Sequence, residues 1–377
     1  MSLKIGIMHE AALSGGKEQR VAMTPDALAR LEKKLPALTV YVQSGAGLAA
    51  GFTDAAYEVA GATIVPDFSK EKMDIVLRVS TPTVKEKLPL TENGMLICLT
   101  AGQDSWAALS KQAHHVLALE KLPRTSRAQA LDVLSSQANL GGYAAVLGGV
   151  SYLPRLMPVL MTAAGSSKPA NVLVLGVGVA GLQAIATAKR LGAQVKAFDV
   201  RPEVSEQIRS LGAKPVIFDD PNVATEGKGG YAGALDEAGQ AHLQSLLAPF
   251  VAEADLVIST AQVPGKPAPV LMAEETVASM KPGSVVVDMA CGGFNKVNGI
   301  KGGNCPASRA DEVVSVGHGV TLIGETNWVS NVAGDASRFW AQNMVNLLSL
   351  LVVDNALSFD DELIAAMAVV NDGKVAA

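Results

Sequence analysis

The sequence predicts an α/β protein of two domains, with one doubly wound, parallel-stranded domain inserted into a second α/β domain. Three observations predict it. Strand-like and helix-like patterns alternate along almost the whole chain. Hydrophobic residues make up 49% of it but aromatics only 4%, the Ala, Val, Leu and Gly richness of buried parallel strands. At 377 residues, the chain is also longer than one hydrophobic core ordinarily serves.

The first strand is expected at Lys4 to Met8. A helix follows, with Thr24 as cap, Pro25 as its first residue and Leu28, Leu31 and Leu35 facing inward; then comes a strand at Val40 to Val42. Further strands are expected at Ala62 to Val65, Asp74 to Val79, Met95 to Leu99 and His115 to Ala118, with Trp106 to Gln112 helical between the last two. Beyond a helical run from Leu140 to Leu153, the strand at Val172 to Leu175 opens the inserted domain. Strands at Lys214 to Phe218, Leu256 to Thr260, Ser284 to Met289 and Thr321 to Ile323 complete about six parallel strands. The sheet is then finished near residue 325. Ser337 to Leu351 and Asp360 to Val370 read as helical, with no strand partner, so they return to the first domain. The expected division is 1–135 with 328–377 for one domain and 136–327 for the other.

The stretch from Asn171 to Arg201, NVLVLGVGVAGLQAIATAKRLGAQVKAFDVR, carries the strongest functional signal. After the buried strand, Gly176, Gly178 and Gly181 fall in G-x-G-x-x-G register, and Leu182, Ile185 and Ala188 give the next helix an apolar stripe. The first glycine allows a tight turn, the second lets backbone approach a pyrophosphate, and the third lets helix and strand pack closely. The helix N-terminus offers unpaired N–H groups to negative charge. Asp199 closes the second strand roughly 20 residues on, where a carboxylate accepts the two hydroxyls of an adenosine ribose and repels a 2′-phosphate. This is the pattern of a Rossmann dinucleotide-binding domain and favours NAD over NADP. Arg201 is the opposing signal, because an arginine there could accept the phosphate.

Composition excludes several other classes. A net charge of −5 without a dense basic block argues against a nucleic-acid surface. Three scattered cysteines, Cys98, Cys291 and Cys305, are too few for a disulfide framework and fit a reducing compartment. The N-terminal MSLKIGIMHE runs directly into a strand pattern without the apolar core of a signal peptide, and no run approaches 18 apolar residues. An enzyme oxidising a hydroxy or amino acid with NAD needs a positioned base. None of the five histidines, His9, His114, His115, His242 and His318, sits in an obvious strand-end motif with an acid, and each reads as a solvated or core histidine. No metal motif or G-x-x-x-x-G-K-[ST] loop is present.

The densest polar constellation elsewhere is Pro123 to Asn139, PRTSRAQALDVLSSQAN, between the two domains along the chain. Arg124, Arg127, Gln129, Asp132, Ser135 and Gln137 offer donors and acceptors suited to holding an amide, but no natural base at neutral pH. Asp132 or Ser135 could instead simply cap the following helix. The polar stretch from Asp219 to Gly233, DDPNVATEGKGGYAG, reads as a lid or as slack.

Taken together, these motifs resemble the NAD(H)-binding first domain of proton-translocating nicotinamide nucleotide transhydrogenase, the soluble part of its alpha subunit. The resemblance covers nearly the whole chain. It rests on GKEQRVA followed by MTPDALARL, RTSRAQALDVLSSQANLGGYAAV, MTAAG before the nucleotide strand, VLGVGVAGLQAIATAKRLGA with FDVR, GGY in the loop, VPGKPAPVL, and GGNCP. It implies a Rossmann domain inserted in a second, flavodoxin-like α/β domain. It further implies that NADH bound here passes its hydride to NADP⁺ on a partner subunit, coupled to proton movement through a membrane-spanning subunit. The chain would be active only with those partners, be a homodimer, and sit on the cytoplasmic face of the membrane through its partners without inserting itself. By motif the family's nicotinamide-positioning loop falls on Arg124, Gln129, Asp132 and Ser135. Arg124 and Asp132 would hold the carboxamide, and Gln129 would reach toward the partner's nucleotide. Cofactor contacts fall on Gly176, Gly178, Val179, Gly181, Asp199, Val200, Arg201, Gly230, Tyr231 and Gln262, with Tyr231 in the lid. No metal is implied. The segment from Gly292 to Gly302 looks longer than the family's usual passage into GGNCP.

Alanine dehydrogenase, similar in fold, is the competing reading. Those enzymes use an arginine, a lysine, a histidine and an aspartate, of which only the arginine survives, as Arg20. Ser80 falls where the lysine would be, CLTAGQDS offers no histidine, and Gly292 stands in the aspartate's position. Transfer between two nicotinamide rings needs no such base, only close placement and exclusion of water. A non-catalytic NAD sensor is the third reading.

Overall fold

The computed structural model describes residues 2–220, 237–263 and 265–376. The chain divides into two compact units, Met1–Gln137 with Val329–Ala377, and Ala138–Trp328.

The first unit begins with six parallel strands: β1 (Lys4–Ile7), β2 (Thr39–Gln43), β3 (Thr63–Val65), β4 (Met73–Leu77), β5 (Leu90–Cys98) and β6 (His115–Ala118). Their order is 3-2-1-4-5-6. The flavodoxin-like expectation holds as a doubly wound parallel sheet, with the short β3 added at one edge. Buried runs such as Ile75–Leu77 and Met95–Cys98 are apolar without alternation because helices cover both faces. The Pro25–Lys34 helix turns Ala27, Leu28 and Leu31 inward. Thr24 stands at its N-cap, but its hydroxyl makes no capping bond and is buried without a hydrogen-bond partner. The expected helix near Trp106 spans Gln103–Leu109.

The second unit carries a small exposed hairpin, β7 (Leu160–Thr162) and β8 (Gly165–Ser167), where the sequence signalled no strand. Its main sheet comprises β9 (Asn171–Leu175), β10 (Gln194–Phe198), β11 (Lys214–Pro215), β12 (Leu256–Ser259), β13 (Val285–Asp288), β14 (Val313–Val316) and β15 (Val320–Ile323). The order is β11-β10-β9-β12-β13-β15-β14. Six strands run parallel, as expected. The seventh, β14, pairs antiparallel with β15 at the edge and was not foreseen, because its half-exposed VVSV is too short to show a period. The Val133–Tyr152 helix lies close against this unit because its glycines leave room. A Cβ on Gly142 would stand 2.1 Å from the Ala180 carbonyl oxygen, and one on Gly149 would meet Leu256 and Val287.

The chain then returns to the first unit through the Ala333–Leu351 helix, which buries Trp340, Met344 and Leu348 in the core of β1, β2 and β4. Two-residue strands β16 (Val352–Val353) and β17 (Ala356–Leu357) form a hairpin. The expectation of a helix over Asp360 to Val370 without a strand partner is overturned. The helix stops at Met367, and β18 (Ala368–Asn371) pairs antiparallel with β6 and with β19 (Lys374–Val375). The open edge of β6 supplies the backbone partners that no local pattern could announce. Among the described residues, no helix is long and apolar enough to cross a membrane.

Candidate functional site

In the second unit, the strand order changes direction at β9, whose neighbours β10 and β12 leave it on opposite sides. A ligand crevice forms at such a switch point, beyond the carboxyl ends of the strands. Three of the predicted elements meet there. Gly176 follows β9 at φ +84°, a left-handed turn, and a Cβ on it would lie 2.8 Å from Ala261 N. A Cβ on Gly181 would lie 2.0 Å from the Gly176 carbonyl oxygen, so helix and turn pack at backbone contact. Gly178 is different. It is the exposed N-cap of the Val179–Arg190 helix at φ −77°, a conformation open to any residue, and a Cβ there would meet nothing within 4 Å. Neither strain nor packing therefore requires this glycine, which leaves the close approach of something outside the chain as its physical reason.

Asp199, just past β10, reaches the same turn. Its Oδ2 accepts the Val177 N–H at 2.7 Å. Arg201 closes over it. The Arg201 backbone N–H donates to Oδ1 at 3.0 Å, Nε to Oδ1 at 2.8 Å and Nη2 to Oδ2 at 2.9 Å. These four bonds fill the roughly four acceptor positions of a carboxylate. The hydrogen bond and charge of Asp199 hold the Arg201 guanidinium above its ordinary pKa. Val200 is half-buried against the core and Val179 is exposed on the first turn of the helix. Gln262, beyond β12, is exposed and donates to the Met289 carbonyl at 2.9 Å. Gly230 and Tyr231 lie outside the described residues, as does most of the expected lid.

Several residues with no role assigned from sequence hold this edge in place. Thr260 Oγ1 donates to the Gly176 carbonyl at 2.9 Å, pinning the glycine turn to the end of β12. Asn304, from GGNCP, accepts from Ser259 Oγ at 2.6 Å and donates to the carbonyls of Ala261 and Pro269, both at 2.8 Å. Asp288, wholly buried at the end of β13, accepts the N–H groups of Ala290, Asn304 and Cys305 and the Ser308 hydroxyl. Burial raises its carboxyl above the ordinary range against those four donors. The only signal was a strand ending in Asp ahead of a motif quoted without a role. In the stretch from Gly292 to Gly302, Asn295 is buried and ties the Ala268 N–H to the Gly302 carbonyl.

In the first unit, the structure brings Asp132 and Ser135 together and separates them from the rest of their segment. Asp132 accepts the Ser135 N–H at 2.9 Å and its hydroxyl at 2.5 Å, capping the Val133–Tyr152 helix. Arg124 and Gln129 are exposed, Gln129 on the 3₁₀ turn Ser126–Leu131. Arg127 instead pairs with Asp361 and Glu362 at the start of the Glu362–Met367 helix. Gln137 is buried, accepting from Arg20 Nη1 at 2.9 Å and donating to the Ala336 carbonyl at 3.1 Å.

Arg20 has no charge to spare. Its guanidinium is 8% exposed and grips Glu18 with two bonds, Nε at 2.8 Å and Nη2 at 2.7 Å. Glu10 likewise takes up both Arg78 Nε at 2.8 Å and the Ser80 hydroxyl at 2.6 Å. Two internal carboxylates thus occupy the first unit's basic groups. Cys98, Cys291 and Cys305 are free and buried. Burial raises all three thiols, Cys305 to about 11, so none is a thiolate at neutral pH.

The fold and the glycine turn define a class: two doubly wound α/β units, one with a turn shaped for a dinucleotide at its switch point. The chain belongs to the alanine dehydrogenase/PNT family, and within it groups with the NAD(P) transhydrogenase alpha subunits. Residues 6–141 match "Alanine dehydrogenase/PNT, N-terminal domain" and residues 145–377 match "Alanine dehydrogenase/PNT, C-terminal domain". It is 42% identical over 375 residues to the first of the separate chains that make up the NAD(P) transhydrogenase alpha subunit of Rhodospirillum rubrum, covering 95% of this chain and 94% of that one. Among solved structures it is similar to a transhydrogenase from Sinorhizobium meliloti, with TM-score 0.86, 37% identity, and coverage of 99% and 100% of the two chains. An L-alanine dehydrogenase shares the fold at TM-score 0.76 and 23% identity, covering 99% of this chain and 96% of that one.

Proposed function

We propose that this chain is the NAD(H)-binding component of a proton-translocating transhydrogenase. One observation carries the reading: Gly178, which neither strain nor packing requires, stands at a turn to which the Val177 N–H fastens the Asp199 carboxylate. A pyrophosphate fits against Gly178, where a Cβ would obstruct it, and the ribose hydroxyls fit Asp199. Bound NADH supplies a hydride, and NADP⁺ on a partner subunit receives it.

Arg124, Gln129, Asp132 and Ser135 then serve as positioning residues beside the nicotinamide, as the family resemblance implies. Asp132 and Ser135 are already fixed to one another at a helix start, and Arg124 and Gln129 are exposed to meet a ligand or a partner. Ring-to-ring transfer asks for orientation and dryness but no base. The residues agree with that. Arg20, the one survivor of the alanine dehydrogenase set, is neutralised by Glu18 and is closed to a substrate carboxylate. Proton translocation belongs to membrane-spanning partners, which hold this chain at the cytoplasmic face; tyrosine 231 and its loop close over the nucleotide.

The test is titration of the purified chain with NADH and separately with NADPH, followed by stopped-flow hydride transfer on adding an NADP-binding transhydrogenase domain. NADH-selective binding with transfer only in the mixture is expected. Binding without transfer would overturn the catalytic role and favour a sensor, and turnover of an amino acid by the isolated chain would overturn both.

A further inference from the structure

We propose that His114, His115 and Asp372 form a site for one divalent transition-metal ion of the zinc, cobalt or nickel class, clasping the C-terminal hairpin to the sheet of the first unit. His114 Nε2 lies 3.3 Å from Asp372 Oδ1, and His115 Nε2 lies 4.0 Å from the same oxygen. All three ligand atoms fall within 4.8 Å of one another. Ligands around a tetrahedral ion at about 2.0–2.1 Å stand roughly 3.3 Å apart, so side-chain rotation suffices to close the set.

The backbone prepares this geometry. Successive side chains of a strand point to opposite faces, yet the two imidazole rings sit edge-on with centroids 4.7 Å apart. This is possible because His114 lies just ahead of β6, its N–H bonded to the Gly94 carbonyl at 3.0 Å. The His114 carbonyl in turn accepts the Gly373 N–H at 2.8 Å. That bond holds the β18–β19 turn, where Asp372 and Gly373 take φ of +50° and +71°, over the histidines.

The orientation of His115 supplies a second argument. Its Nδ1 lies 2.7 Å from Asn371 Oδ1, an acceptor, so Nδ1 carries the proton and the Nε2 lone pair faces Asp372. Metal-bound histidines are oriented in this way by a bond from their other nitrogen. The Phe359 ring, 4.9 Å away, backs the imidazole. A simple ion pair needs one histidine, as at His242 and Asp220, 2.6 Å apart; here two imidazoles converge on one carboxylate. Two imidazoles and a carboxylate suit zinc, cobalt and nickel rather than calcium or magnesium, and leave the remaining positions to water.

The experiment titrates the full chain, freed of metal with chelator, with Co²⁺ followed by visible d–d absorption and with Zn²⁺ by calorimetry. One ion per chain and a zinc-dependent rise in Tm are expected. His114→Ala and Asp372→Asn should each weaken binding at least tenfold and remove the Tm rise. Asn371→Ala should weaken it less, and His242→Asn should leave it unchanged. Unfolding of each metal-free variant checks that it folds. Absence of saturable binding, binding that survives both His114→Ala and Asp372→Asn, or loss of binding in His242→Asn would overturn the proposal.

Discussion

Replacing Asp199 by asparagine tests the cofactor site at the residue where its energetics are most concentrated. The carboxylate is 8% exposed and accepts four hydrogen bonds, one from the turn at Val177 and three from Arg201. An asparagine of nearly the same volume keeps one acceptor oxygen but turns an NH₂ group toward N–H donors. Leaving one buried donor unmatched costs about 1–3 kcal/mol of folding stability, which urea unfolding would read. On the binding side, two ribose hydroxyls lose a charged acceptor, worth about 1.5–3 kcal/mol. At tenfold for every 1.4 kcal/mol, NADH should bind roughly 10–150-fold more weakly. Calorimetric titration below the unfolding transition separates the two effects. Unchanged NADH affinity in a folded Asp199→Asn protein would refute the placement of the ribose.

The neighbouring positions extend this test. Arg201→Ala frees two acceptor positions on Asp199 that the ribose would otherwise have to win from a guanidinium, so NADH should bind up to roughly tenfold more tightly while NADPH binds more weakly; parallel titrations decide, and an NADH loss like that of Asp199→Asn would count against it. Gly178→Ala and Gly181→Ala should separate cleanly. The first, with open space at its Cβ, should change stability by less than about 1 kcal/mol but lower NADH affinity, whereas the second, 2.0 Å from a carbonyl oxygen, should cost about 2–3 kcal/mol in denaturant titration. For pH dependence, burial tends to raise the Asp311 carboxyl, but Lys296 Nζ at 2.6 Å and Thr326 bring it below the ordinary range. The unfolded state then takes up protons first, so this stabilisation is complete above about pH 4 and is lost as pH falls through the depressed folded value. Asp311→Asn, which suits that residue's φ of +61°, should be less stable than the parent at neutral pH, with the gap narrowing in acid unfolding curves; a gap independent of pH would contradict the assignment.

How much of this was written in the sequence depended on whether a feature was local. The glycine turn, Asp199 at the end of the second strand and the alternating strands and helices could be read directly, because a turn residue, a cap or a buried strand leaves its mark within a few neighbours. The pinning of that turn could not be read. Thr260 and Asn304 come from elsewhere in the chain, and a hydroxyl or amide carries no sign of which carbonyl it will meet. Arg201 looked like a phosphate acceptor until the fold bent it back onto Asp199. Asp132 was read either as a ligand group or as a cap, and the structure shows it capping.

The sequence by itself determined the class of fold, because covering a parallel sheet on both faces imposes apolar strands and periodic helices wherever they fall. Only the tertiary structure decided which charges are available. Glu18 on Arg20 and Glu10 on Arg78 are pairings of buried groups, and the cost of leaving a charge unpaired in the interior is settled by whatever the fold brings within reach. The same holds for the last strands, whose partner is the open edge of β6, and for the convergence of His114, His115 and Asp372, more than 250 residues apart along the chain and joined through that edge.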